Sequence, residues 1–140
     1  MKTGTLVDTG PLVAFLNRRD GLHEWSTERF ASLPAPLLTC EAVLSEACFL
    51  MAGHPGGRSG VLRLLRQGGV RIAFRLGEEA DAVEALLAKY ESVPMSLADA
   101  CLVRMSELSR NSRVLTTDRH FAIYRRNGRQ VIPVMLPPKA

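Results

Sequence analysis

Gly4-Thr5-Leu6-Val7-Asp8-Thr9-Gly10-Pro11-Leu12-Val13-Ala14-Phe15-Leu16 is the stretch that decides how this chain is read. An apolar run ends on an acid, and a second apolar segment with a proline near its start follows at once. Residues 4–8 predict a buried strand. Pro11 in the first turn predicts a helix after it, because the missing N–H costs little there. Val114-Leu115-Thr116-Thr117-Asp118 repeats the strand-then-acid pattern near the other end. If the two strands lie parallel in one sheet, Asp8 and Asp118 share the edge where open α/β sheets place their ligands.

Working outward, Asp20-Gly21 marks a turn, and helices are expected over 22–33, 41–51, about 59–67, 77–91 and from Ser96 to about Ser109. Short strands are expected at 37–38, 70–74 and 113–117, with a final edge strand at 130–132. The cluster Gly53-His54-Pro55-Gly56-Gly57 follows a helix and lacks the Lys-Ser/Thr ending of a phosphate loop, so it reads as a helix–helix turn. Strands alternate with helices throughout, which predicts an α/β fold with a mainly parallel sheet and helices on both faces. One domain is expected over residues 1–136, with 137–140 a frayed C-terminal tail.

A chain of 140 residues with 46% hydrophobic content buries a core without disulfides or structural metals. Net charge is +4 and the sequence pI is about 9.3. Lys2, Lys89 and Lys139 are the only lysines, so arginine dominates, and arginine forks suit phosphate oxygens. Arg18-Arg19 and the cluster Arg119, Arg125, Arg126, Arg129 are candidates for steering a nucleic acid, against the plain alternative of a solvated surface. Cys40, Cys48 and Cys101 are odd in number and lack CxxC spacing, so they read as small buried hydrophobes in a reducing compartment rather than zinc ligands. Asp8 breaks the first apolar run, so no signal peptide is expected, and no apolar run approaches the ~20 residues that span a bilayer. A cytoplasmic protein without membrane contact is expected.

Four acids interrupt apolar surroundings. Asp8, Asp99 and Asp118 each have a local reading as well: Asp8 and Asp118 as helix caps, and Asp99 as the partner of Ser96 in a capping box. Glu46 has none. Ala42, Val43, Phe49 and Leu50 lie three and four positions away, so its side chain is expected to leave from the apolar stripe and to need a positive partner. No Arg or Lys occurs between Arg29 and Arg58. A divalent cation accounts for all four acids together, since Mg²⁺ and Mn²⁺ favour carboxylate oxygen and water and suit phosphodiester chemistry.

Leu6-Val7-Asp8-Thr9, Thr39-Cys40-Glu41-Ala42-Val43-Leu44-Ser45-Glu46-Ala47, Ser96-Leu97-Ala98-Asp99-Ala100 and Leu115-Thr116-Thr117-Asp118-Arg119-His120-Phe121 occur in the order found in PIN-domain nucleases. The chain resembles that family over nearly its whole length, and more narrowly the VapC-type toxins of toxin–antitoxin pairs. The resemblance implies a three-layer α/β/α sandwich and an endoribonuclease using Mg²⁺ or Mn²⁺. It implies that Asp8, Glu46, Asp99 and Asp118 are the metal-binding and catalytic acids, with Thr116 or Thr117 in support. It further implies an RNA substrate cut to a 5′-phosphate and a 3′-hydroxyl, a homodimer, and inactivation by a cognate antitoxin. Larger family members often carry extra acids after the last motif, whereas Arg119 and His120 stand there in this chain.

Three other functions compete. A housekeeping RNA-processing nuclease would share every motif. An RNA-binding module that does not cut would share the fold and the basic residues. An acyl-phosphate enzyme would use Asp8 as nucleophile, but the adjacent pair of acids common in such sites is missing.

Overall fold

The computed structural model describes residues 4–139. β1 (Thr5–Val7) is buried at every position, as a strand covered on both faces must be. α1 (Thr9–Leu16) follows directly, then α2 (His23–Ser32) and β2 (Leu37–Thr39). α3 (Glu41–Leu50), α4 (Gly57–Arg66) and β3 (Val70–Ile72) continue the alternation. After α5 (Leu76–Lys89) and α6 (Leu97–Leu108) come β4 (Arg113–Leu115) and a 3₁₀ turn at Arg119–Ala122. The chain closes with β5 (Arg125–Arg126), β6 (Gln130–Val131) and β7 (Val134–Met135).

Five strands form one sheet in the order β3-β2-β1-β4-β7, and every neighbouring pair is parallel. The chain moves from β1 outward through β2 to β3, then returns to place β4 on the other side of β1. Right-handed crossovers put α1–α4 on one face and α5–α6 on the other. α1 touches α2, α3 and α4, and α5 packs on α6, while α3 also reaches α6 across the layers. This is the expected three-layer α/β/α architecture. The reversal between β1 and β4 is a topological switch point, and Asp8 and Asp118 lie just past the ends of those two strands.

The core joins β1, β4, α3 and α6, with Val7, Val43, Leu102, Val103 and Leu115 fully buried. α6 is buried along most of its length, from Ala98 to Ser106. Phe15 stacks on Phe30 with ring centroids 4.3 Å apart, which ties α1 to α2. Among the described residues no helix is long and apolar enough to cross a membrane.

Two expectations at the C-terminal end need correction. Residues 130–131 do not form the sheet edge; they pair antiparallel with 125–126 in a separate hairpin. Its loop is the three residues Asn127-Gly128-Arg129 between the paired Arg126 and Gln130, with positive φ at Asn127 (51°) and Gly128 (86°), a conformation that Asn and Gly tolerate. Pro133 then separates the hairpin from β7, which is the edge strand beside β4. Nor is residue 137 frayed: Pro137 is buried, and its carbonyl accepts from Arg119 at 2.8 Å.

Candidate active site

Asp8 caps α1. Its Oδ1 accepts from the Thr9 N–H at 2.8 Å, and its Oδ2 accepts from the Thr116 hydroxyl at 2.7 Å. The Asp8 N–H donates to the Leu115 carbonyl at 3.0 Å, so the residue is fixed to β4 through its backbone as well. Thr116 is fully buried and uses its hydroxyl twice, because it also accepts from the Asp118 N–H at 3.0 Å. One side chain thereby orients both acids. Thr117 instead packs over Gly10, where an added Cβ would come within 2.0 Å of its Oγ1. Close approach of the β4 loop to α1 therefore requires glycine at position 10, a requirement that no local sequence pattern announces.

Asp118 caps the 3₁₀ turn, its Oδ1 accepting from the His120 N–H at 2.9 Å and facing His120 Nδ1 at 2.7 Å. Asp99 completes the expected capping box: its Oδ2 accepts from the Ser96 N–H at 2.9 Å, while its own N–H donates to Ser96 Oγ at 3.0 Å. Local capping and convergence on one site are not alternatives here, since each aspartate bonds to a local turn while the charges of Asp99 and Asp118 reach Asp8.

Burial pushes the Asp8 carboxyl up to about 6, against the lowering effect of its bonds to Thr116 and Thr9, and the charges of Asp99 and Asp118 raise it further. Burial also raises Asp99; its bonds to Ser96 oppose the shift, Asp118 adds to it, and His120 counteracts it. Tyr124 is fully buried, and its hydroxyl donates to the Pro94 carbonyl. Burial raises its pKa first, followed by the field of Asp99, Asp118 and Asp8. No sequence signal points to Tyr124, because only the topology brings it to the acids.

Glu46 departs from the expectation. It is exposed on α3, with no ionic partner among the described residues. The buried positions of α3 are Val43, Leu44 and Ala47, whereas Phe49 is 79% and Leu50 48% exposed. With those last two residues in solvent rather than in the core, the buried stripe turns away from Glu46. The structure therefore gathers Asp8, Asp99 and Asp118 but leaves Glu46 outside the buried group.

The arginines also divide. Arg125 donates to the carbonyls of Ala122, Ile123 and Tyr124, closing the 3₁₀ turn, and Arg119 holds Pro137. One guanidinium nitrogen of each is engaged by backbone carbonyls, and the remaining donors have no hydrogen-bond partner among the described residues. Arg18 and Arg19 are exposed beyond the far end of α1 from Asp8.

Among the described residues no group of three or more His, Cys, Asp and Glu side chains forms a ready-made ligand set for a metal ion. The chemistry of the donors nonetheless fits a hydrated hard cation. Asp118 Oδ2 has no hydrogen-bond partner among the described residues, and Thr9 Oγ1 is buried beside Asp8 without a hydrogen bond. Carboxylate and hydroxyl oxygens on a cluster of acids that repel one another when ionised suit an ion such as Mg²⁺ or Mn²⁺, which binds one or two carboxylates and keeps several waters.

A family model described as "PIN domain" matches residues 5–127. No curated protein matches the sequence. Among solved structures, the crystal structure of VapC20 from Mycobacterium tuberculosis, described as a sarcin–ricin loop cleaving toxin, superposes with a TM-score of 0.74 and 21% identity. The superposition covers 86% of this chain and 94% of that one. At that identity the likeness establishes the fold, while the family match spans most of the chain and all three clustered aspartates. The chain belongs to the PIN domain family.

Proposed function

We infer that the protein is a divalent-metal-dependent endoribonuclease and the toxin of a toxin–antitoxin pair. The observation that carries this reading is the placement of Asp8, buried past the end of β1, raised to about 6, and coupled to Asp99 and Asp118 at the switch point of the sheet. Mutual repulsion among these three acids is relieved by a cation, and Thr116 holds two of them in place before one arrives. Asp8 supplies the buried anchoring carboxylate, and the half-buried Asp99 and Asp118 form the open side. Bound there, Mg²⁺ or Mn²⁺ would lower the pKa of a water molecule and neutralise charge developing on a phosphodiester.

Glu46 enters the proposal as a rim carboxylate on the helix that follows β2 at the same edge. VapC20 is described as cleaving the sarcin–ricin loop, which makes structured RNA the first substrate class to try. A homodimer through the exposed Phe49 and Leu50, a small cognate antitoxin and a cytoplasmic setting belong to the same proposal. Induced expression in a bacterial host tests it. Growth arrest accompanied by discrete RNA cuts is expected, abolished by Asp8→Asn and relieved by the neighbouring antitoxin gene. Arrest that persists unchanged in a folded Asp8→Asn variant would sink the reading.

A further inference from the structure

A cavity of about 690 Å³ opens between the C-terminal end of α1 and the α3–α4 turn. Arg18, Arg19, His54 and Arg63 line it, and no Asp or Glu does. The three guanidinium groups are exposed, and none has a carboxylate partner among the described residues. Arg104, by contrast, is engaged by Glu79 at 2.7 Å and Glu107 at 3.1 Å. Unneutralised cations in a concave site concentrate anions, and low-dielectric walls sharpen the effect.

The cavity walls are fixed by close packing. A Cβ on Gly57 would come within 2.4 Å of the Met51 carbonyl oxygen, and one on Gly60 within 3.2 Å of Leu16 Cδ2. Glycine at both positions lets the start of α4 lie directly against the ends of α3 and α1. Met51, 2% exposed, packs beneath. The cations are therefore mounted on elements already in place, which limits the ordering cost of binding.

The two ends of α1 carry opposite chemistry. Asp8 and its acids stand at the start, and the arginine cavity lies at the finish. The eight residues of α1 span about 12 Å at 1.5 Å per residue. No residue of α1 is exposed, so a strand joining the two sites runs over the neighbouring helices and spans at least this distance, a few nucleotides of backbone. An isolated anion would need only the cavity, but a polymer with regularly repeating phosphates meets both sites at once.

We propose that this cavity is a phosphate-binding subsite that holds the RNA backbone a few nucleotides from the bond at the acids. The proposal deepens the nuclease reading and rests on it. The test measures binding of end-labelled single-stranded RNA to Asp8→Asn protein over about 50 to 200 mM salt. The comparison is the same protein carrying Arg18→Gln, Arg19→Gln and Arg63→Gln. Each phosphate contact contributes about 0.7 to the log–log salt slope for a single strand, so the triple variant is expected to lose about 2 from that slope. In the cleaving background the same triple change should raise KM while kcat stays within twofold. An Arg71→Gln, Arg113→Gln control, placed beside a different cavity, should leave the slope intact. RNA trimmed to two nucleotides on both sides of the cut should bind the triple variant and its parent equally.

An unchanged salt slope in a triple variant that melts like its parent overturns the subsite, and does so without touching the nuclease reading if the parent still cuts RNA with metal. Loss of an acidic protein partner with RNA binding unaltered also overturns it, in favour of a protein-docking role. A reduced slope in a chain that cuts no RNA under any metal supports the subsite while the nuclease reading fails.

Discussion

Replacing Asp8 with asparagine should stabilise the metal-free protein at neutral and alkaline pH, although the proposed mechanism needs the carboxylate for activity. Burial raises the carboxyl from its ordinary 3.8 to about 6. A carboxyl raised on folding binds its proton more tightly in the native state. Its stabilising contribution is therefore complete below about pH 3.8 and is lost as pH climbs through about 6. Above that, the native chain carries the full penalty of a buried charge, about 3 kcal/mol for a shift of this size. Asparagine is neutral and nearly isosteric, so it escapes this penalty. It weakens the bond now made by the Thr116 hydroxyl to Oδ2, a loss of about 1 to 1.5 kcal/mol. The net gain is about 1.5 kcal/mol, or about 5 °C in melting temperature for a domain of this length.

The assay is thermal unfolding in EDTA from pH 5 to pH 8. The variant's advantage should widen as pH rises and vanish or reverse near pH 5, where the wild-type acid is protonated. Adding Mg²⁺ or Mn²⁺ at pH 8 should raise the wild-type midpoint and leave the variant's nearly unchanged, because only the ionised acid gains from the cation. A variant less stable than wild type at pH 8 in EDTA, or a gap independent of pH, would refute the electrostatic account of Asp8.

Thr116→Val keeps the shape but leaves Asp8 Oδ2 and the Asp118 N–H without their shared partner; a stability loss of about 1–3 kcal/mol is expected in denaturant titration, with weakened metal response. Gly10→Ala puts a methyl group against Thr117, and should cost about 1–3 kcal/mol and shift metal affinity together with stability. Glu46→Gln alters an exposed side chain and should change stability by less than about 0.5 kcal/mol; a larger fall in unfolding free energy would mean that the carboxylate has a buried partner after all.

The parts of the fold that are legible in the sequence share one physical origin. β1, β4 and their terminal aspartates can be read because a parallel strand buried on both faces is a short unbroken apolar run, and an acid at its end is conspicuous. The Ser96–Asp99 box can be read because its partners are three residues apart. The surroundings of Glu46 cannot, because a sequence shows that Phe49 and Leu50 are apolar but not whether they face the chain's own core or the outside. Arg119 and Arg125 look like free cations in sequence, yet carbonyl groups brought near by the 3₁₀ turn and the C-terminal segment engage them. Tyr124 and Gly10 matter through contacts between segments more than 20 residues apart, Gly10 with Thr117 and Tyr124 with Pro94 and Asp99, which no local pattern encodes.

The central claim is that Asp8, Asp99 and Asp118 form a metal-dependent site that cuts RNA. Its most direct test is cleavage of end-labelled structured RNA by purified protein in Mg²⁺, Mn²⁺ or EDTA, beside an Asp8→Asn variant purified identically. The account predicts discrete cuts with either metal, none in EDTA and none from the variant. Cleavage that survives in EDTA, or that the variant retains at the wild-type rate, would contradict it.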